Sequence, residues 1–260
     1  MHEAVISDKA LWARAEAGAE LLVEGVFSGG IYLSFPEGAM LMLHDSRFGS
    51  LPFGAAVKAL DGRGRLLGIQ VGMPAQLSAE ALAVPPADVR FPLRFLPPAA
   101  ASGLLSEDFL ARAAACSAMP EDLFSRTAAP ALEKLDRGLE TGDDALLRAA
   151  VQGLVGLGRG LTPTYDDYLT GLLFCLHYAG RASAALDRAV LDSLGRTNRY
   201  SAAFLRAAAE GGHFSLLADC LAAGSEDALQ RLLAVGSSSG CDMLAGMRHA
   251  ASLLSSHKLA

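Results

Sequence analysis

The spacing of apolar residues changes along the chain near residue 100. Before that point, short apolar runs are bounded by glycine, proline or aspartate. In LLVEGVFSGGIYLSF, for example, Ser28-Gly29-Gly30 separates two such runs. This pattern is typical of strands joined by tight turns. The first hundred residues are therefore predicted to be mostly strand, after one opening helix.

Beyond about residue 103 the spacing becomes helical. EDLFSRTAAPALEKLDRGLE and DDALLRAAVQGLVGLG repeat apolar residues at intervals of three and four. Between the two parts, VPPADVRFPLRFLPPAA holds five prolines within 15 residues, which predicts a boundary segment because proline breaks helices. The predicted fold class is α+β: a small β-rich N-terminal domain, 1–100, followed by an all-helical C-terminal domain, 101–260.

Composition narrows the classes of function. The chain has 22 basic and 28 acidic residues, a net charge of -6 and no run of Lys or Arg, which argues against nucleic acid and anionic membrane as partners. No stretch approaches the roughly 18 apolar residues that span a bilayer, and the start lacks the apolar core of a signal peptide. Cys116, Cys175, Cys220 and Cys241 lack zinc or redox-pair spacing. These features predict a cytoplasmic protein with reduced thiols.

The stretch GLGRGLTPTYDD, residues 156–167, places three glycines and two adjacent acids at a predicted helix start. Thr162 is expected to cap this helix, with Pro163 at its first position and Gly180 just after its end. Asp166 and Asp167 then fall in the first turn. One alternative is purely structural, since acids there interact favourably with the helix dipole.

The other alternative is a ligand site. Gly158 and Gly160 leave a loop without side chains, whose N–H groups can face a small anionic ligand such as phosphate together with the helix N-terminus. Two acids would repel that anion. A divalent cation such as Mg²⁺, or a substrate amide that donates to the carboxylates, would resolve the conflict.

A second stretch repeats the same pattern. SSGCDMLAGM, residues 238–247, aligns with PTYDDYLTGL, residues 163–172, and both contain [ST]-x-x-D-x-L-x-G. Positions four apart share a helix face, so each aspartate lies over a glycine where another element can pack closely. We expect the loops at 156–167 and 236–242 to converge on one pocket. Asp167 and Asp242 are then the candidate catalytic and metal-ligating carboxylates, and Thr162 and Ser239 the nearby hydroxyls.

A third segment lies between these two. In GRTNRYSAAFLRAAAEGGHF, the polar residues Thr197, Asn198 and Ser201 precede a predicted helix. Arg196 and Arg199 can supply positive charge to an anion. The alternative is a helix cap flanked by solvated arginines. Cys241 is a weak candidate nucleophile because no histidine adjoins it in sequence to activate the thiol.

Together the three segments resemble a known family. GLGRGLTPTYDDYLTGLL resembles the signature G-L-G-P-G-L-T-P-S-G-D-D-x-L-x-G, and TNRYSAAFLRAAAEG and GSSSGCDMLAGM resemble two further signatures of the AllH-like family. The named member of that family is a subunit of the oxamate carbamoyltransferase complex of anaerobic allantoin breakdown. The likeness is firm over about 150–250. Arg159, Thr164 and Tyr165 depart from the signature and point to a divergent member with a different ligand.

The resemblance implies a subunit of an oxamate carbamoyltransferase-like system in purine-nitrogen catabolism, with other subunits as partners. The implied reaction is phosphorolysis of oxalurate to oxamate and carbamoyl phosphate. The glycine loop would hold phosphate or an acyl phosphate, and Asp167 and Asp242 would bind a cation or the carbamoyl NH₂. The matched polar positions are Gly158, Gly160, Thr162, Asp166, Asp167, Thr197, Ser201, Ser239 and Asp242.

Two other functions stay open at this point. A non-catalytic binding or scaffold subunit is favoured by the lack of an obvious nucleophile–base pair in the sequence. A stand-alone carboxylase- or ligase-like enzyme is the weaker alternative. The sequence also leaves a homo-oligomer open.

Overall fold

The computed structural model describes residues 3–27, 29–58, 60, 67–97, 103–115 and 123–256. The chain forms two compact units. One comprises Met1–Ala99 with His213–Leu216, and the other comprises Ala100–Gly212 with Leu217–Ala260. The domain boundaries 1–100 and 101–260 stay a prediction. The structure adds that residues 213–216 group with the first unit.

The strands of the first unit form a closed barrel. Their order around the barrel is β1-β5-β4-β3-β2-β6-β7-β8, and β8 pairs in parallel with β1 to complete it. A nine-residue helix, α1 (Lys9–Ala17), lies between β1 and β2 in sequence. The strands are β1 (Ala4–Ile6), β2 (Ala19–Val26), β3 (Gly30–Ser34), β4 (Met40–Asp45), β5 (Gly54–Val57), β6 (Pro74–Leu77), β7 (Ala81–Val84) and β8 (Val89–Phe95).

This barrel corrects the predicted fold class. The α+β description with a small β-rich domain is wrong, because eight strands close on themselves before the run of helices that starts at residue 107. Closure depends on β1, only three residues long, which pairs antiparallel with β5 and parallel with β8. These partners lie some 50 and 90 positions away, so no local pattern shows them. The proline-rich segment predicted as a boundary contains β8, in which Pro92 pairs with Ala81.

The interior of the barrel is apolar. On β2 the burial alternates along the strand, with Leu21 and Val23 turned inward. Each such side chain contributes about 1.5–3 kcal/mol when removed from water. The hydrophobic core of the barrel also includes Ile6, Ile31, Leu33, Leu41, Leu43, Val57, Leu77, Leu82 and Phe91.

The second unit is built around one buried helix. α5 is apolar on nearly every side and buried along almost its whole length, and α10 packs along it. None of the described helices combines the length and hydrophobicity needed to cross a membrane. The helices that follow the barrel strands are α2 (Glu107–Ala115), α3 (Leu123–Thr141), α4 (Asp144–Leu154), α5 (Thr164–Tyr178), α6 (Ala184–Ser193), α7 (Arg199–Ala209), α8 (Ser215–Ala223), α9 (Glu226–Leu233) and α10 (Ser239–Ser255).

One buried histidine makes the barrel unit sensitive to acid. His44 on β4 is 0% exposed, and its Nδ1 lies 3.1 Å from the backbone oxygen of Asp45. A Cβ built on Gly54 would lie only 2.5 Å from its Nε2, so the glycine makes room for the ring. Burial lowers the pKa of His44 from 6.5 to about 4. The folded chain therefore keeps this ring neutral where an unfolded chain would protonate it.

We predict that the free energy of unfolding falls as the pH is lowered from 6.5 to 4. Stability from the neutral ring is fully present above pH 6.5, and the part lost by pH 4 is as much as about 3 kcal/mol. Urea unfolding, followed by the fluorescence of Trp12, measures the free energy of unfolding, and this single tryptophan reports on the barrel unit. The His44→Leu variant should lose this part of the pH dependence. An unchanged pH dependence in that variant would contradict the assignment.

Candidate functional site

The glycine loop folds back over the start of α5. Gly156, Gly158 and Gly160 have φ of +81°, +132° and +95°, a region that side-chain-bearing residues rarely adopt. A Cβ on Gly158 would lie 2.3 Å from the amide nitrogen of Thr164. The amide of Tyr165 donates to the carbonyl of Leu157 at 3.0 Å. This donor of the predicted anion site is therefore already used by the loop itself.

The predicted cap of α5 is wrong by one residue. The helix begins at Thr164 and its N-cap is Pro163, which has no side chain able to cap. The amides of Asp166 and Asp167 donate instead to the backbone oxygen of Pro163, at 2.9 and 3.2 Å. Thr162 is thereby released from capping and turns its hydroxyl toward a carboxylate. At the other end Gly180 follows the helix with φ +67°, as predicted.

Asp166 ties the glycine loop to the start of α7. It is 1% exposed, and its Oδ1 accepts the amide of Gly156 at 2.7 Å. Its Oδ2 accepts the hydroxyls of Thr197 at 2.5 Å and Ser201 at 2.7 Å. Burial raises the pKa of Asp166, and these three hydrogen bonds oppose that rise. The result is a cluster of hydrogen-bonded side chains made of Asp166, Thr197 and Ser201.

Asp167 belongs to a different cluster. It is 1% exposed, and its Oδ2 accepts the hydroxyl of Thr162 at 2.8 Å. The same Thr162 oxygen lies 3.0 Å from the hydroxyl oxygen of Ser239, at the start of α10. The loops at 156–167 and 236–242 therefore meet through these two hydroxyls, which are half-buried.

The electrostatics of this second cluster favour a protonated acid. Burial raises the pKa of Asp167 to about 8, and the nearby charges of Asp242 and Asp166 add to the rise. Hydrogen bonds from Thr162 and Ser239 act in the opposite direction. Asp242 is itself only 5% exposed. Near neutral pH, Asp167 therefore carries a proton for a large part of the time.

The two helices that carry these acids cross with their backbones in contact. A Cβ on Gly171 would lie 2.0 Å from the carbonyl oxygen of Met243, and one on Gly246 would lie 1.9 Å from that of Tyr168. Met243 and Tyr168 each directly follow the aspartate of the repeated motif. The contact is thus reciprocal, and it confirms that each motif glycine marks a close approach.

The remaining predicted residues lie around this centre. Gly160 is exposed on the loop, and Arg159 places its guanidinium 5.4 Å from the centre of the Phe124 ring. Arg196, Arg199 and Cys241 are exposed. Asn198, which the sequence did not single out as a ligand, caps α7 and donates through Nδ2 to the carbonyl of Leu161 at 2.7 Å.

A metal ion at this site would need ligands in addition to its acidic side chains. Within the described residues, no group of three or more His, Cys, Asp or Glu side chains is arranged to hold a metal. A cation at Asp167 and Asp242 would have to complete its shell with hydroxyls, carbonyl oxygens, water or substrate. Mg²⁺ accepts such a shell, since it often takes only one or two protein carboxylates.

Three polar side chains that contact one another were not predicted from the sequence. The hydroxyl of Tyr168 contacts Nδ1 of His249, and Nε2 of His249 lies 2.7 Å from Oδ1 of Asp136 on α3. These contacts link α3, α5 and α10 beside the place where α5 and α10 cross. A signal was available, because His249 is seven residues after Asp242 and so lies on the same helix face.

The site is thus a pair of buried carboxyl groups beneath two half-buried hydroxyls, in a helical unit.

The model of the family described as oxamate carbamoyltransferase subunit AllH matches residues 154–251, which include every candidate residue named above. The resemblance seen in the sequence is confirmed over these residues. No solved structure matches the chain.

We predict opposite stability effects for the two adjacent acids. Asp166→Asn turns an N–H₂ group toward donors and should lower the free energy of unfolding by about 1–3 kcal/mol. Asp167→Asn should not. The folded pKa of Asp167 lies above its unfolded value, so its stabilising contribution is complete below about pH 4 and is lost as the pH rises through 8.

Melting temperatures of the wild type and both variants between pH 5 and 8.5 test this prediction. The Asp167→Asn variant should gain on the wild type as the pH rises, whereas the Asp166→Asn variant should melt below it throughout. Equal losses in the two variants would show that the acids play the same structural role.

Proposed function

We propose that this chain is a subunit of an oxamate carbamoyltransferase-like system, and that the Asp167–Asp242 cluster binds the carbamoyl or amide end of a small ligand. The observation that carries the proposal is the bridge made by Thr162. Its Oγ1 lies 2.8 Å from Asp167 Oδ2 and 3.0 Å from Ser239 Oγ. The family match over 154–251 supports the proposal because it covers this bridge and both acids.

An amide or carbamoyl group suits the chemistry of the cluster. Such a group presents N–H donors and a carbonyl acceptor in one plane. A deprotonated carboxyl group accepts the N–H, and the hydroxyls of Thr162 and Ser239 donate to the carbonyl oxygen. Because the pKa of Asp167 is about 8, this acid can also accept or release a proton near neutral pH, as general acid–base catalysis requires.

The protonated acid also removes the conflict with an anionic ligand. Two charged carboxylates would repel a phosphate or carboxylate, whereas a neutral Asp167 can donate to it. We place the anionic end of the ligand toward the glycine loop at Gly160, which is exposed, whereas Gly158 packs against Thr164. Arg196 and Arg199 are exposed at the start of α7 and supply positive charge. A divalent cation such as Mg²⁺ is an alternative bridge between the acids and an anion.

A second candidate function is ligand binding without catalysis, with the chemistry on a partner subunit. The observation that favours it is the depth of the acids, 1% and 5% exposed, beneath hydroxyls that already bond to one another. In that case the chain would present a bound ligand or position a partner. Phosphate-dependent release of carbamoyl phosphate from oxalurate separates the two functions. Turnover by this chain alone supports catalysis, and turnover only after a second subunit is added supports the binding role.

We predict that Asp167→Asn and Ser239→Ala weaken the binding of oxamate or carbamoyl phosphate about tenfold or more, since each changes a group proposed to form a hydrogen bond with the ligand. Isothermal titration with each ligand, with and without Mg²⁺, measures the effect. Ser238→Ala is the matched control, because this neighbouring serine is exposed and its side chain does not cap α10. Equal affinities in Ser238→Ala, Ser239→Ala and the wild type would show that the start of α10 has a purely structural role.

A further inference from the structure

A small cavity lies in the barrel unit, whereas Asp167, Asp242 and their hydroxyl partners, the carboxyl cluster, belong to the helical unit. Its volume is about 200 Å³. Pockets for drug-sized ligands usually measure about 300–1,000 Å³, so this one suits a metabolite of few heavy atoms. The cavity is lined by Ser7, Asp8, Lys9, Leu51, Pro52 and His213, all of which belong to the barrel unit.

The wall that comes from the distant part of the sequence is fixed in place. The amide of Ser50 donates to the hydroxyl of Ser215 at 2.7 Å, and the amide of Ser215 donates to the carbonyl of Ser50 at 3.1 Å. A Cβ on Gly49 would lie 2.4 Å from the Ser215 hydroxyl oxygen, so only glycine allows this approach. His213 is therefore held beside the 49–52 segment, and a ligand would find its site already formed.

Two residues of opposite charge, Asp8 and Lys9, line the cavity next to each other. Asp8 caps α1 by accepting the amide of Leu11 at 2.8 Å, which fixes its carboxylate, and Lys9 follows directly. A simple anion is attracted by Lys9 and repelled by Asp8, and a simple cation experiences the reverse. A zwitterion satisfies both charges at once. Leu51 and Pro52 provide an apolar wall next to them.

We propose that this cavity binds a small apolar α-amino acid. Its carboxylate lies toward Lys9, its ammonium group toward Asp8 and its side chain against Leu51 and Pro52. The site is a second, independent ligand site of the chain and does not rest on the function proposed for the carboxyl cluster.

Three related compounds test the proposal on the full chain by isothermal titration: L-valine, isovalerate, which lacks the ammonium group, and isobutylamine, which lacks the carboxylate. Lys9→Met removes the positive charge. Asp8→Asn removes the negative charge and keeps the helix cap, because asparagine caps as well as aspartate. The matched controls are Lys58→Met and Asp88→Asn, at exposed positions outside the cavity. Asp88 has φ +51°, which asparagine tolerates.

We expect L-valine to bind more tightly than either fragment, and its affinity to fall about tenfold or more in each cavity variant. Isovalerate should bind more tightly to Asp8→Asn and more weakly to Lys9→Met, with isobutylamine showing the opposite order. Both controls should bind valine as the wild type does. The proposal is overturned if the folded wild type shows no saturable binding of valine at millimolar concentration. It is also overturned if the control variants lose as much affinity as the cavity variants.

Discussion

The contact between the backbones of α5 and α10 determines the rest of the helical site. At Gly171 and Gly246 the helices approach so closely that any side chain would overlap a carbonyl oxygen of the partner helix. Real Cβ atoms essentially never lie within 3.0 Å of such an atom, so only glycine fits at either position. One turn before each glycine stands an aspartate. The crossing therefore brings Asp167 and Asp242 into the same buried region, although burial by itself disfavours a charged carboxylate.

Bringing two acids together in an apolar interior has an electrostatic cost, and the chain meets it differently at adjacent positions. Successive residues on a helix point about 100° apart, so Asp166 and Asp167 face different surroundings. Asp166 receives three donors, which oppose the rise of its pKa on burial. Burial and the nearby acid Asp242 raise the pKa of Asp167 and favour its neutral form, against the hydrogen bonds that it accepts from hydroxyls. A stable fold needs the first arrangement but not the second. The second therefore supports the proposed ligand site at Asp167, since perturbed acids concentrate at functional sites.

How much of this was predictable depends on the distance over which each feature is encoded. The [ST]-x-x-D-x-L-x-G repeat is local, and it was sufficient to place both acids, both glycines and the meeting of the two loops. The glycine loop was also visible, but its closure onto the amide of Tyr165 was not, because a glycine pattern does not say what the freed backbone contacts. The barrel could not be predicted in the same way. Its closure rests on a three-residue strand paired with partners far along the chain, and on a strand that contains Pro92. Short strands of this kind carry almost no periodic signal.

The contrast between Thr162 and Thr164 shows why the site residues are harder to assign than the helix. The sequence repeat aligns Ser239 with Thr164, yet the hydroxyl that meets Ser239 belongs to Thr162, two residues earlier. Pro163 occupies the N-cap position of α5 without a side-chain acceptor, and the threonine before it donates to Asp167. On α10 the equivalent place is taken by Ser238, and there the motif serine itself turns into the cluster. The two halves of the repeat thus supply one hydroxyl each by different routes. The cluster is symmetric in its chemistry, two acids and two hydroxyls, while its backbone is not, so a ligand bound as proposed would meet a different backbone at each end.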